Sequence, residues 1–330
     1  MPERNQADIW ALTDLCTPWC VHVVATLRIA NHIAAGIAQI GDLAAASSSD
    51  CDSLHRVLRH LVAKGFFEEP APGRFALNEP ARVLLDSSGQ FFDLTGIGGR
   101  MAYAWGSLLS AVRTGAPAYH ELFGRPFWED LHANPDLAAS FDALMGPAGH
   151  GTPYADVLVA GDWESVHTVV DVGGGTGSLL AEILRARPKL RGILVDLPPT
   201  VGHSRETFRA AGVADRVTAV AQSFFDGLPA GAELYLLKNV LGDWPDREAT
   251  SLLRRCAEAA RPSGRVVVLG GISPDEAGEP PPSLLMMVLV GGRERSLSQF
   301  RDLARAAGLE VQATGRQRSA GLVVECRPTR

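Results

Sequence analysis

The chain is poor in several features that would restrict its function at once. Its five cysteines, Cys16, Cys20, Cys51, Cys256 and Cys326, are scattered along 330 residues and odd in number. Such thiols are typical of a reduced cytoplasmic protein and argue against a disulfide framework. Cys16 and Cys20 stand four residues apart, but no His/Cys pair follows them at metal-ligand spacing, so we expect no metal site.

Excess positive charge and long apolar runs are also lacking. The chain carries 31 Lys and Arg against 37 Asp and Glu, a net charge of −6, which argues against nucleic acid as the main partner. The apolar stretch at 21–40 is interrupted by Arg28, Asn31 and His32 and is too polar to span a bilayer. The first six residues are polar and lack the apolar core of a signal peptide. We therefore expect a cytoplasmic protein with neither membrane nor nucleic acid as partner.

The first hundred residues predict helices followed by a hairpin. Apolar residues at 8–40 are typical of a helical region buried on more than one face, which favours a homodimer interface over packing inside one subunit. A short helix from Asp42, a turn at 47–50, a helix from Cys51 to Gly65 and two strands around the turn at 70–73 follow the order of a winged helix. This region carries eight basic against eleven acidic residues, so we expect a scaffold rather than a DNA reader.

Strand and helix patterns alternate in the second half of the chain. Residues 101–160 form a helical segment rich in large side chains, which suit a core of helices or, in part, a pocket for a flat ligand. Apolar runs then recur at 168–172, 192–196, 216–220, 233–237, 265–269, 309–313 and 321–326. Such alternation predicts a mostly parallel sheet covered by helices on both sides.

A glycine-rich turn at 169–178, VVDVGGGTGS, predicts a cofactor site. Gly173, Gly175 and Gly177 let the backbone turn sharply and let a ligand approach closely. Asp196 ends the next strand and can accept hydrogen bonds from both hydroxyls of a ribose. The glycine spacing differs from the G-x-G-x-x-G of pyrophosphate sites, and the preceding Asp171 suits a cation better than a phosphate. The pattern therefore indicates an adenosine with a positively charged end, which is S-adenosylmethionine.

In combination, the motifs of the chain resemble the class I S-adenosylmethionine-dependent O-methyltransferases of the plant caffeate and flavonoid type and their actinobacterial antibiotic-tailoring relatives. The resemblance rests on FDALM (141–145), DVGGGTG (171–177), LVDLPP (194–199), LLKNVLGDWPD (236–246), PSGRVVVL (262–269) and VGGRERS (290–296). It implies an α/β fold: a Rossmann-like methyltransferase sheet at the C-terminus and an N-terminal, all-helical winged-helix dimerisation domain. The implied domains are 1–100 for dimerisation, 101–160 as a substrate-lining helical segment and 161–330 for S-adenosylmethionine binding.

The same resemblance implies methyl transfer in a domain-interlocked homodimer. The methyl group would pass from S-adenosylmethionine, leaving S-adenosylhomocysteine, to an aromatic hydroxyl of a bacterial secondary metabolite. Bacterial relatives act on phenols of anthracyclines, mitomycin-type quinones and the naphthoate units of enediyne antibiotics, which makes a fused-ring substrate such as a hydroxynaphthoate the expected one.

Site residues follow from the resemblance by position. Those implied for cofactor binding are Asp171, Gly173, Gly175, Asp196, Leu197, Ser223, Phe224 and Lys238. Ser223 stands where the family has an aspartate near the adenine, and Lys238 has the alternative of a strand-end lysine in solvent. Those implied for substrate binding are Trp105, Phe141, Met145, Asn239, Gly242 and Met286.

The catalytic histidine of the family is absent, because Gly242 occupies its position. Of the two acids that orient that histidine in the family, one aligns with Gly270 and the other with Glu294. Asp243 and Glu294 are therefore the predicted proton acceptors, with His120 and His150 as weaker candidates.

The glycines of these motifs are predicted to enlarge the substrate pocket. Glycines at 242, 270–271 and 291–292 would leave room for a fused-ring substrate, whereas a turn glycine at 242 is the structural alternative. Two other functions stay open: a cofactor-binding relative that catalyses hydroxylation, decarboxylation or a pericyclic step, and a winged-helix regulator.

Overall fold

The chain divides into two compact units, residues 1–103 and 104–330. The computed structural model describes residues 8–146, 153–160, 163–275, 278–316 and 322–329, except for the side chains of residues 87 and 88. The candidate His150 lies outside the described residues. The predicted helical segment 101–160 falls mainly in the second unit.

The first unit consists of short helices and one hairpin. In chain order its elements are α1 (Ile9–Leu12), α2 (Cys16–Thr26), α3 (Ile29–Ala34), α4 (Ile40–Ala46), α5 (Cys51–Ala63), β1 (Glu68–Ala71), β2 (Arg74–Ala76), α6 (Glu79–Arg82) and α7 (Ile97–Ala104), whose last residue enters the second unit. The helical region predicted at 8–40 is divided into three helices, and Arg28 adopts a left-handed φ of 52° between α2 and α3. The predicted order of helix, helix and hairpin is present.

Sequence periodicity explains why α5 folds as it does. The Asp50 side chain accepts a hydrogen bond from the backbone N–H of Ser53 and caps the helix. Leu54, Leu58 and Leu61 recur on one helical face and are buried in the core of the unit. Through this apolar face, α5 packs against α2 and α4.

The second unit begins with helices and continues as an α/β sheet. Its elements are α8 (Leu108–Thr114), α9 (Tyr119–Phe123), α10 (Phe127–Ala133), α11 (Pro135–Met145), β3 (Thr168–Val172), α12 (Ser178–Ala186), β4 (Arg191–Asp196), α13 (Pro198–Ala210), β5 (Val217–Ala221), β6 (Leu234–Lys238), α14 (Asp246–Ala259), β7 (Arg265–Leu269), β8 (Ile272–Ser273), α15 (Leu284–Leu289), β9 (Arg295–Ser296), α16 (Leu297–Ala306), β10 (Leu309–Arg316) and β11 (Leu322–Pro328). None of the described helices is long and apolar enough to cross a bilayer.

Seven strands form one sheet in the order β10-β11-β7-β6-β3-β4-β5. The five strands from β7 to β5 run parallel, whereas β10 and β11 pair antiparallel at one end. Both faces are covered, because Val170 packs with α14 and α16 while its neighbour Val169 packs with α12. The predicted α/β fold with a mostly parallel sheet is confirmed.

Candidate active site at the carboxyl edge of the sheet

A cavity of about 390 Å³ opens at the carboxyl ends of the central strands, within the second unit. Because β3 lies between β4 and β6, the strand order reverses there, and open α/β sheets bind ligands at such switch points. Loops that follow β3, β4, β5 and β6 line it, together with side chains of α10 and α11. The volume lies within the range of small-molecule sites.

Asp196 ties the glycine-rich loop to the end of β4. Its Oδ2 accepts a hydrogen bond from the backbone N–H of Gly175 at 2.8 Å, and its Oδ1 accepts one from Leu197 at 2.7 Å. Burial raises the pKa of this carboxyl, and the two hydrogen bonds oppose that shift. Each carboxylate oxygen keeps a further lone pair, so Asp196 can also accept a hydroxyl of a ligand.

The glycine-rich loop has conformations that favour glycine. Gly173, Gly175 and Gly177 have φ values of +67°, +61° and +79°. A Cβ at Gly175 would meet no atom within 4 Å, so the loop leaves open space on the cavity side. A Cβ at Gly174, in contrast, would lie 2.5 Å from the carboxyl carbon of Asp171 beneath the loop.

Asp171 is a buried carboxyl whose oxygens have no hydrogen-bond partner among the described residues. Burial raises its pKa to about 7; the positive charge of Lys238 opposes this shift, and the negative charge of Asp196 adds to it. The backbone N–H of Leu180 also lowers this pKa, although it makes no hydrogen bond to the carboxyl. An unsatisfied buried carboxyl that lines a cavity fits a ligand with a cationic group, as S-adenosylmethionine has.

Aromatic side chains form one wall of the cavity. The rings of Trp128 and Trp244 stack with centroids 6.1 Å apart, while Phe141 and Phe225 contact them edge-on. Sequence reasoning included Trp128 only among the large side chains of 101–160 that could in part line a pocket. It gave no site role to Phe225 or Trp244, although they lie inside the motifs QSFF and GDWPD. Such a wall suits a flat aromatic ligand.

Asp243, a predicted catalytic acid, is one of the acids at this cavity. It ends a 3₁₀ turn, Leu241–Asp243, directly after β6, and lines the cavity. Burial raises the pKa of its carboxyl to about 7. A carboxyl with that pKa changes its protonation state near neutral pH, which suits a general base.

Glu294, the second predicted catalytic acid, is not among the residues that line the cavity. Its Oε2 accepts a hydrogen bond from the Ser273 hydroxyl at 3.1 Å. Of the two predicted acids, Asp243 is therefore the one at the cavity. His120, a weaker candidate, is exposed on α9.

Arg295 fixes the turn that carries Asp243. Its fully buried guanidinium donates hydrogen bonds to the carbonyl oxygens of Leu241, at 2.9 Å, and Trp244, at 2.7 Å. It also pairs with the carboxylate of Asp246 at 2.9 Å. Because these contacts bracket residues 241–246, they hold the backbone of Asp243 in place.

The prediction that several glycines widen the pocket is wrong for four of the five. These four are packed closely against other atoms: Gly270, Gly271, Gly291 and Gly292. A Cβ on Gly292 would fall on the carbonyl oxygen of Gly242 and 2.5 Å from the carbonyl carbon of Asp243. Gly271 and Gly292 therefore allow backbone segments to meet, whereas Gly270 and Gly291 face neighbouring side chains. None of the four adds space for a ligand.

Gly242 differs from those four. A Cβ there would meet only the Cα of Gly271, at 3.6 Å, which is an ordinary contact. Its φ is outside the left-handed region, so the turn itself does not require glycine. The structural alternative of a turn glycine is thereby weakened, since a side chain could be accommodated.

The structure brings most of the predicted site residues together. All eight residues predicted to bind cofactor line the cavity: Asp171, Gly173, Gly175, Asp196, Leu197, Ser223, Phe224 and Lys238. Of the predicted substrate residues, Phe141, Met145 and Asn239 line it, whereas Trp105, Gly242 and Met286 do not. Asp142, which sequence reasoning did not single out, also lines the cavity and lies 2.7 Å from the Nδ1 atom of His203.

Comparison with known proteins gives matches over nearly the whole chain. The 2,7-dihydroxy-5-methyl-1-naphthoate 7-O-methyltransferase of Streptomyces carzinostaticus is 42% identical over 307 residues, covering 92% of each chain. Aclacinomycin 10-hydroxylase RdmB of Streptomyces purpurascens is 39% identical over 311 residues, covering 91% of this chain and 83% of that one.

Solved structures agree with these relatives. The crystal structure of the O-methyltransferase NcsB1 from neocarzinostatin biosynthesis, in complex with S-adenosylmethionine and 2-hydroxy-5-methyl naphthoic acid, superposes with a TM-score of 0.90 at 40% identity. That match covers 98% of this chain and 99% of the other. A sequence profile of the O-methyltransferase domain matches residues 105–310. The chain therefore belongs to the O-methyltransferase family, whose methyl donor is S-adenosylmethionine.

Proposed function

We propose that the protein methylates an aromatic hydroxyl of a fused-ring bacterial secondary metabolite, of the hydroxynaphthoate class. The observation that carries this proposal is one cavity with two different walls. One wall offers the carboxylates Asp171 and Asp196, and the other stacks Trp128 on Trp244 beneath Asp243. The naphthoate-binding relative supports the substrate class.

The acidic wall suits the cofactor. Asp196 has the lone pairs to accept ribose hydroxyls, and the carboxyl oxygens of Asp171, which have no hydrogen-bond partner among the described residues, can face a cationic group. Phe224 offers a flat surface for the adenine, and Ser223 a hydroxyl at the same edge. When bound there, S-adenosylmethionine supplies an electrophilic methyl group on a sulfonium.

Asp243 accepts the phenolic proton in this proposal. Among the described residues no charged group shifts the pKa of its carboxyl, and burial brings that pKa to about 7. A carboxylate with this pKa takes a proton from an acidic phenol more readily than an ordinary aspartate does. The aromatic wall orients the substrate, and Arg295 keeps the base in register with it.

Mass spectrometry of a reaction with a hydroxynaphthoate tests the proposal. The expected products are a naphthoate heavier by one CH₂ group and an equal amount of S-adenosylhomocysteine. Unchanged naphthoates and polycyclic phenols across a panel, with cofactor bound, would reject methyl transfer to this substrate class.

A second candidate is hydroxylation, favoured by the 39% identity to aclacinomycin 10-hydroxylase and by the absence of a histidine at Gly242. The same spectra separate the two reactions, because hydroxylation adds one oxygen atom and forms no S-adenosylhomocysteine.

The proposal extends to a cytoplasmic homodimer whose N-terminal unit is a winged helix. The apolar side chains of Trp10, Leu12 and Leu15 are 81%, 72% and 76% exposed in the single chain, which supports a partner surface around α1. Light scattering should give twice the 35.1 kDa chain mass. A mass of one chain at micromolar concentration would overturn the dimer.

A further inference from the structure

Three side chains with metal-binding atoms converge in the N-terminal unit, and none of them is among the residues that line the cavity. They are Cys16 and Cys20 on α2 and His60 on α5. One ligand atom of each lies within 4.8 Å of the other two. Spacing along the sequence gives no sign of this group, because the third member comes from a different helix.

The distance between the two sulfurs suits a tetrahedral ion. Two thiolates bound to one Zn²⁺ at about 2.3 Å, with a tetrahedral angle between them, lie about 3.8 Å apart. The Sγ atoms of Cys16 and Cys20 are 3.8 Å apart. The four-residue spacing on a helix places both on one face, so binding needs no rearrangement of α2.

The imidazole of His60 is held beside the thiols by a polar chain. Its Nε2 lies 2.8 Å from the Thr17 hydroxyl, which in turn donates to the Asp14 carboxylate at 2.6 Å. Lys64 Nζ donates to the same carboxylate at 2.9 Å. These bonds join α2 to α5 and limit how far the imidazole can move.

The site also has an approach from solvent. Cys16 is exposed, Cys20 is buried and His60 is half-buried. An ion bound by three protein ligands would therefore keep a fourth position open to water or another small ligand.

We propose that Cys16, Cys20 and His60 bind one zinc ion. The ion links α2 to α5, and its binding displaces thiol protons. Because thiols bind the ion only after they lose their protons, the affinity should increase with pH.

Titration of the reduced full-length protein with Co²⁺ tests this site, because thiolate-bound tetrahedral Co²⁺ gives sulfur-to-metal charge-transfer absorption. The expected result is one equivalent bound per chain, displaced by Zn²⁺. Cys16→Ser, Cys20→Ser and His60→Asn should each weaken binding by at least about 10²-fold, beyond what loss of an outer-shell partner typically costs.

Cys51→Ser is the matched control, because Cys51 is an exposed cysteine at the start of α5 and outside the group. It should leave Co²⁺ binding unchanged. Absence of the charge-transfer band in the wild-type protein, or its persistence in the Cys16→Ser/Cys20→Ser double variant, would overturn the site. Circular dichroism checks each fold, and Cys20→Ala replaces Cys20→Ser if the serine variant unfolds.

Discussion

Replacing Asp243 with asparagine should remove activity and stabilise the protein at the same time. Asp243 is half-buried, and desolvation of its carboxyl raises the pKa from an ordinary 3.8 to about 7. The folded protein therefore holds this proton more tightly than the unfolded chain does. Binding of this proton contributes to the stability of the fold. That contribution is complete below pH 3.8 and is lost as the pH rises through about 7.

The size of the effect follows from the two pKa values. At pH 8 the ionised, buried carboxylate costs at most about 4 kcal/mol of the free energy of unfolding, whereas at pH 4 the cost is under about 1 kcal/mol. Asparagine has a similar shape and no charge, so Asp243→Asn should recover much of that difference at pH 8 and little at pH 4.

Urea unfolding at both pH values measures the gain, with Asp302→Asn as the control. The side chain of Asp302 is 76% exposed, so its replacement should change the free energy of unfolding by no more than about 0.5 kcal/mol at either pH. An equal gain for Asp243→Asn at pH 4 and pH 8 would refute the account of a buried charge.

Turnover supplies the second readout. Wild-type kcat should rise as the pH passes about 7 and Asp243 loses its proton. Asp243→Asn should lower kcat by about 10²-fold or more, with S-adenosylhomocysteine affinity unchanged. If the variant keeps near-normal turnover, Asp243 is not the base, and positioning of the substrate carries the reaction.

Three further predictions concern the parts that surround the base. Asp196→Asn removes one carboxylate acceptor and should weaken S-adenosylhomocysteine binding by about 10- to 150-fold in calorimetry; an unchanged affinity would exclude its ribose role. Arg295→Lys should lower the free energy of unfolding, measured with urea, by about 3–5 kcal/mol, because the buried hydrogen bonds of the guanidinium are lost. The control Arg293→Lys should lower it by under about 1 kcal/mol, because the side chain of Arg293 is 51% exposed. Gly292→Ala should lower the free energy of unfolding by more than about 3 kcal/mol, because its Cβ meets backbone atoms. Gly242→Ala should stay within about 1 kcal/mol of wild type, because its Cβ lies 3.6 Å from the nearest atom. Equal losses in the two variants would contradict the close-packing argument.

The α/β unit could be predicted from the sequence because its signals are local. A parallel strand buried on both faces is a continuous apolar run, and such runs mark the central strands β3, β4, β6 and β7. The glycines after β3 and the acid at the end of β4 are equally local, since they lie within one βαβ unit. The resemblance of these motifs to a family then implied the cofactor, and the sites for it fall in one cavity.

The roles of the pocket glycines needed the tertiary structure. Gly242 and Gly292 read alike in the sequence, as glycines in neighbouring motifs. In the fold, one has space for a side chain and the other touches the backbone of the turn that bears Asp243. Which atoms meet a glycine is decided by segments fifty residues away, and no local pattern encodes them.

The sequence by itself determined the order of strands and helices, the cofactor loop and the family, because backbone preference and hydrophobic periodicity act over a few residues. Only the tertiary structure decided that Asp243 lies at the cavity while Glu294 does not, and that His60 lies beside Cys16 and Cys20. It also decided how far burial raises the pKa of Asp243. Burial and the meeting of distant side chains depend on how the whole chain packs, so these properties exist only once the units are folded.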